Sequence, residues 1–249
     1  MNQQDPHSNI PFGSSQQSED SFAQTATVSQ SQEGLSAFVT QVFGWMFAAL
    51  FLTGATSYIV LQSEQLFMFA YKMMWPLIIL ELFAVGYLAV RIQKMSPTTA
   101  TIVFFSYAFC NGFTLTPLIA AYTGESVAST FMITAGTFGC MSFYGLTTKK
   151  DLTSWGSLLI TAVVGILIAM VVNIFFMQSS LMAIVISCVA VVIFVALIAY
   201  DTQMIKSTYQ NGMERSAIGH NLAIMAALAL YLDFINLFIH LLRLLGDRD

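Results

Sequence analysis

Beyond residue 36 the chain is a succession of long apolar runs separated by short polar breaks, and that alternation predicts its elements. Seven runs fall near the roughly 20 apolar residues that an α-helix needs to cross a bilayer. They are 37–61, 75–90, 98–122, 127–147, 154–176, 181–200 with a tail to 205, and 221–245. None carries the period-two alternation of a barrel strand. All seven are therefore read as helices, which satisfy their own backbone groups where lipid offers no hydrogen-bond partner. Only a few residues around Gln178 and Ser179 separate the fifth run from the sixth, which makes those two helices antiparallel neighbours. Ala135 and Gly139 stand four apart in the fourth run, a spacing at which helix backbones approach closely, and they predict a packed bundle.

Composition agrees with this pattern. The 249 residues are 57% hydrophobic and 9% charged, with a mean hydropathy of +0.73, whereas a soluble domain carries about 25% charged residues. The expectation is an all-α integral membrane protein. Residues 1–34 are rich in Ser and Gln, contain Asp5, Glu19, Asp20 and Glu33 but no Lys or Arg, and lack the basic and apolar regions of a signal peptide. They are read as a disordered polar tail, cytoplasmic, ahead of a seven-helix domain at 35–249. Cys110, Cys140 and Cys188 each lie inside a run and form no C-x-x-C pair, so they are read as buried, inert thiols rather than a disulfide framework or a zinc site. The net charge of −4 and the lack of a basic run argue against a nucleic-acid partner.

Charge also sets orientation. Crossing the membrane seven times puts the tail on the same side as Arg91, Lys94, Lys149, Lys150, Lys206 and Arg215, and leaves Lys72, Arg243 and Arg248 on the other. Basic residues in short loops favour the cytoplasm, so the N-terminus is expected inside and the C-terminus outside.

Three carboxylates fall within or at the edge of the runs: Glu81, Asp201 and Asp233. A charge at the centre of a bilayer helix costs about 2.5–3.5 kcal/mol on insertion scales, so such a residue is expected to face a cavity or a partner. Asp233, in LYLDFINLFIHLL, stands three residues before Asn236 and seven before His240, which lays all three on one stripe of a helix. Two readings of Asp233 stand: a protonated carboxyl that only hydrogen-bonds a neighbouring helix, or a functional group. His240, near the end of its run, reads as an amphipathic interface anchor. Asp201 ends the sixth run in AYDTQMIK, where a carboxylate can simply be solvated. The alternative is that it meets Asp233, since a loop of modest length joins their helices. Two carboxylates in one dry site cannot both ionise cheaply and tend to share a proton. Such a pair senses pH and, when deprotonated, offers hard oxygen ligands to a cation. Counting at about 1.5 Å per residue puts Asp201 near the membrane edge and Asp233 near its middle. They meet only if the sixth helix starts deep, tilts or borders a cavity. Glu81 and Arg91, ten residues apart, are about 15 Å apart along one helix and on nearly opposite sides, so they do not pair with each other. Arg91 is either a positive-inside flank or free to reach another carboxylate.

The blocks TTKKDL at 147–152, AYDTQ at 199–203 and ALALYLDFINLFIHLLRLLG at 227–246 resemble the Bax inhibitor-1 family, also called the transmembrane Bax inhibitor motif family. The likeness covers about residues 34–246 and is greatest to the bacterial inner-membrane branch. It implies a seven-helix fold with the last helix surrounded by the other six. It further implies a pH-sensitive calcium leak channel with no tightly bound cofactor and Ca2+ as the permeant ion. By motif, its gate is an aspartate pair at Asp201 and Asp233, which would also be the transient Ca2+ ligands. Glu81, in I-L-E, matches a second-helix glutamate of some members, and Arg91 an arginine that latches the pair, although Ile92 follows it here rather than a basic cluster. Asn236 and His240 complete the supporting set through their shared stripe with Asp233. Relatives have also been linked to restraint of a membrane AAA protease, so the alternative is a non-conducting regulator that binds such a partner through the tail. The resemblance implies residence in the cell inner membrane.

An enzyme is the rival class. Intramembrane aspartyl proteases also place aspartates on two adjacent helices, the first in a Tyr-Asp pair like Tyr200 and Asp201. Their second aspartate follows Gly-x-Gly, whereas Tyr231 and Leu232 precede Asp233, and no Pro-Ala-Leu motif occurs. A retinal protein needs a lysine in the seventh helix, and none lies in 217–245. H-E-x-x-H is absent as well. The chain is read as no enzyme. Because residues 1–32 lack the apolar surface that offsets ordering entropy, their deletion should leave the fold, and any ion flux through purified protein in liposomes, unchanged.

Overall fold

The computed structural model describes residues 14–210 and 219–248, with side chains described from residue 32 onward except at Ala89 and Gln93. It is a bundle of α1 (Ser14–Leu61), α2 (Glu64–Arg91), α3 (Pro97–Ile119), α4 (Gly124–Thr147), α5 (Gly156–Val172), α6 (Ser180–Gln210) and α7 (Gly219–Leu245). Within these, seven stretches are long and apolar enough to cross a membrane. Local chemistry sets the starts of three of them. Ser63, Ser96 and Thr123 cap α2, α3 and α4 by accepting from Leu66, Thr99 and Ser126 N–H, and Pro97 fills the first turn of α3, where a missing N–H costs nothing.

Two boundaries depart from the sequence expectation. Helix α2 begins at Glu64, not near Trp75, because the Ser63 cap starts it early and the exposed Lys72 is carried within it. Helix α1 begins at Ser14, so helical backbone reaches into the segment expected as a disordered tail. No Gly or Pro interrupts residues 14–33, and a helix already nucleated by the span continues into such a stretch. Residues 1–13 of the expected tail lie outside the described residues.

The turn between α5 and α6 is as short as expected. The last turn of α5 widens into a π-helix over Asn173–Met177, and Gln178 takes the left-handed conformation, φ 47°. The Asn173 side chain closes the turn. Its Oδ1 accepts from Ser179 N–H at 3.1 Å and its Nδ2 donates to the Ser179 carbonyl at 3.2 Å.

Helix α7 is the centre of the bundle. Of its most apolar stretch 61% is buried, against 44% for α3, the next highest. It packs chiefly on α1, α3, α4 and α6, while α2 lies outside against α3 and α5 against α6. Large apolar side chains such as Phe51, Phe83 and Phe176 point outward, as a lipid-facing surface requires. Cys140 and Cys188 are on that outer surface too, and Cys110 is half-buried; all three are free thiols, but they are not buried as expected.

The close helix contact on α4 is at Gly145, where a Cβ would run into the Ala199 carbonyl and the Thr202 side chain of α6. The Ala135 and Gly139 spacing does not serve this purpose, since Gly139 is exposed and has nothing within 4 Å of its Cβ position. Spacing alone marks a smooth helix face, but only the neighbours decide whether another helix uses it.

Both ends of the bundle are tied. At one, Gln203 of α6 accepts from Leu152 N–H and donates to the Lys150 carbonyl, each at 2.8 Å, and Lys206 Nζ donates to the Leu146 carbonyl at 3.0 Å. In that same loop Asp151 accepts from the Thr153 hydroxyl and N–H, and the two bonds hold its carboxyl below the usual aspartate range. At the other end Thr123 N–H donates to the Asp247 carbonyl at 3.1 Å and Asp247 N–H to Ser126 Oγ at 2.9 Å. Gly145→Ala should lower stability by about 1–3 kcal/mol, since the obstruction is backbone that cannot turn aside, whereas Gly139→Ala should be near neutral. Thermal unfolding of the detergent-solubilised variants measures both.

Candidate functional site

Two polar constellations occupy the interior. The first lies between α6 and α7. Asp233 stands fourteen residues into α7 and nine residues of α6 follow Asp201. Asp201 is therefore about 14 Å inside the end of its helix, by the rise of a regular helix. The apolar run ends near Ile205, but the helix does not, and this removes the geometric conflict seen in the sequence. The two carboxyl groups lie close enough to interact with each other. An ionised carboxylate only accepts, so a bond between two carboxyls requires a proton on one of them. Asp233 is 5% exposed, and its Oδ2 has no hydrogen-bond partner among the described residues. Asp201 is half-buried. The pair thus has a closed inner member and a more accessible outer one.

The stripe that begins at Asp233 continues along the same interface. Asn236 Nδ2 donates back to the Leu232 carbonyl at 2.8 Å, so its amide is used within α7. His240 is 2% exposed, its Nδ1 lies 3.2 Å from Ser187 Oγ, and its ring stacks on Phe194 with centroids 6.1 Å apart. It is therefore a core residue and not the interface anchor expected. The central position of α7 covers its whole length, including a part that in an outer helix would meet the headgroups. Ser187 and Phe194 went unnoticed in the sequence, yet the signal was there: 187, 194 and 201 repeat every seven residues, the period at which one helix keeps a single seam against another.

The second constellation is on the far side of α7. Glu81 is buried, and its Oε1 accepts from Thr114 Oγ1 at 2.9 Å and its Oε2 from Asn111 Nδ2 at 3.2 Å, both on α3. Tyr231, two residues before Asp233 and so on the opposite face, has its hydroxyl 2.8 Å from Thr53 Oγ1, which donates to the Ala108 carbonyl at 2.8 Å. Glu81 thus belongs to the α2–α3 contact, and no described bond joins it to the aspartates.

Arg91 is exposed at the end of α2. The neighbouring Ile92 carbonyl accepts from Asn221 Nδ2 at 2.8 Å, which fixes that end of α2 against the start of α7. Asn221 precedes Asp233 by twelve residues, about 18 Å along the helix. That is beyond the reach of an arginine side chain, so Arg91 does not contact the pair here. Among the described residues no group of three or more His, Cys, Asp or Glu side chains is placed to hold a metal ion.

An acidic pair between α6 and the central α7, inside seven helices long and apolar enough to span a bilayer, defines a polytopic membrane protein with carboxyls in its interior. The description "Inhibitor of apoptosis-promoting Bax1" matches residues 35–249, and the chain belongs to that family, the Bax inhibitor-1 family. It is 38% identical over 233 residues to the inner membrane protein YbhL of Escherichia coli, covering 92% of this chain and 99% of that one. It is also 40% identical to a Rickettsia prowazekii protein, over 87% and 92% of the two chains, and 41% identical to a Borreliella burgdorferi protein, over 85% and 92%.

Proposed function

We propose that this protein is a pH-sensitive cation leak channel, with calcium as the permeant ion, gated by Asp201 and Asp233. The observation that carries the reading is the close approach of two carboxyls in a buried seam. With a shared proton in place, the pair ties α6 to α7 and carries one negative charge rather than two, a weaker site for a cation. When pH rises and the proton leaves, two negative charges face each other in a site of low dielectric. They repel, the seam loosens, and the freed oxygens suit a hard divalent ion. The half-buried Asp201 is the member that solvent and ion reach first. The inner-membrane location stated in the name of the Escherichia coli relative is carried to this chain. The six basic residues on the side of residues 92–96, 148–155 and 211–218 support a cytoplasmic N-terminus.

The test is calcium flux into liposomes that hold purified protein, measured across pH. Flux should rise with pH in the wild type. Asp233→Asn keeps the shape but removes the titration, and should flatten the profile. Asp201→Asn should act on the same transition, with the double variant no worse than the more severe single one, as expected for residues that work as a unit. Arg91→Ala should match the wild type, because its side chain lies away from the pair. Wild-type pH profiles in both aspartate variants would make the pair structural. No flux at any pH would favour the non-conducting regulator.

A further inference from the structure

The end of the bundle that carries the α5–α6 turn holds a cavity of about 520 Å³, in the size range of ligand sites. Arg243, which lines it, is ten residues beyond Asp233, about 15 Å away along α7, so this is a separate site.

The lining divides by chemistry. Met170, Ile174 and Ile184 supply apolar lining, and Arg243 and Arg248 supply two guanidinium groups. Two polar residues of the turn, Asn173 and Ser179, are already engaged. Asn173 is bonded to both backbone groups of Ser179, and Ser179 caps α6 through Met182 and Ala183 N–H. The formal positive charge of the cavity lining comes from the arginines. Arg243 is half-buried, and the groups that bear on it include the Tyr122 phenol, the second guanidinium and the His240 ring. Arg248 lies over the Tyr122 ring, 5.6 Å from its centroid, which holds the two cations on the same side. Two like charges kept together repel each other, and an anion between them relieves the repulsion. The planar forks of two arginines match the oxygens of a phosphate.

The apolar lining distinguishes one source of phosphate from another. Ile174 and Ile184 are 43% and 47% exposed, and they continue into Phe175 and Phe176 on the outer face of the bundle. A soluble phosphate ester would leave that lining unmatched, whereas an acyl chain would cover it. We propose that the cavity seats the phosphate headgroup of an anionic glycerophospholipid, held by Arg243 and Arg248, with an acyl chain along Ile174 and Ile184. Bound there, the lipid clamps the end of the central helix to the α5–α6 turn.

Full-length protein in nanodiscs of phosphatidylcholine with a minor share of phosphatidylglycerol, released and weighed by native mass spectrometry, should retain phosphatidylglycerol preferentially. Arg248→Gln alters an exposed side chain, so folding is not at issue, and should retain about tenfold less, as loss of one charge-assisted contact implies. Arg243→Lys, which keeps the charge but loses the fork, should fall between the two. Equal retention by all three proteins, or no preference in the wild type, overturns the site. A second arm adds inorganic phosphate to protein in pure phosphatidylcholine. If phosphate raises the unfolding temperature as much as phosphatidylglycerol does, and Arg248→Gln abolishes both effects, the ligand is a soluble anion and the lipid assignment is overturned. Neither arm depends on ion flux, so the result is independent of the channel reading.

Discussion

Asp233 is a carboxyl on the one helix that the rest of the bundle encloses, and it must have a partner there. A lone charge in that position would carry several kcal/mol of desolvation, and the fold places a second carboxyl, Asp201 of α6, beside it. Other features of the seam follow from the need to bring Asp201 to it. Helix α6 runs on to Gln210 rather than stopping where its apolar run stops. Helix α4 meets α6 at Gly145, where its missing side chain lets the backbone reach Ala199, two residues from Asp201. Gln203, two residues past Asp201, pins the loop between α4 and α5. Any helix that shifts α6 along its axis therefore shifts one half of the acidic pair.

The polar side chains of α7 are distributed by face. Asp233 and His240 look toward α6, Tyr231 toward α1 and α3, and Asn221 toward the α2–α3 connection through the Ile92 and Met95 carbonyls. In lipid there is little hydrophobic drive between helices, so association relies on close packing and on hydrogen bonds of this kind. The contacts to α1 and to the α2–α3 connection pair with hydroxyl and carbonyl groups, whereas the contact to α6 includes a second carboxyl.

Much of this was legible in the sequence. Seven helices followed from run length and from the backbone's need for internal hydrogen bonds in lipid, and the short α5–α6 turn from the few polar residues available to it. The three carboxylates stood out because a charge in an apolar run demands a partner, and the stripe of Asp233, Asn236 and His240 followed from helical period. Tertiary structure decided the rest. Helix boundaries at Ser14 and Glu64 depended on caps and uninterrupted helix formers rather than on hydropathy. Gly145, and not Gly139, became the close contact because only its side of α4 faces α6. His240 is core because α7 is central, a fact that the periodicity of its own helix does not contain. Glu81 and Arg91 stand apart from the aspartates because α2 lies outside α3 and does not pack on α6. A single chain's sequence states which positions need partners, since that follows from the solvent and the side chain alone. Which partner each one meets depends on how helices from distant parts of the chain are arranged around one another.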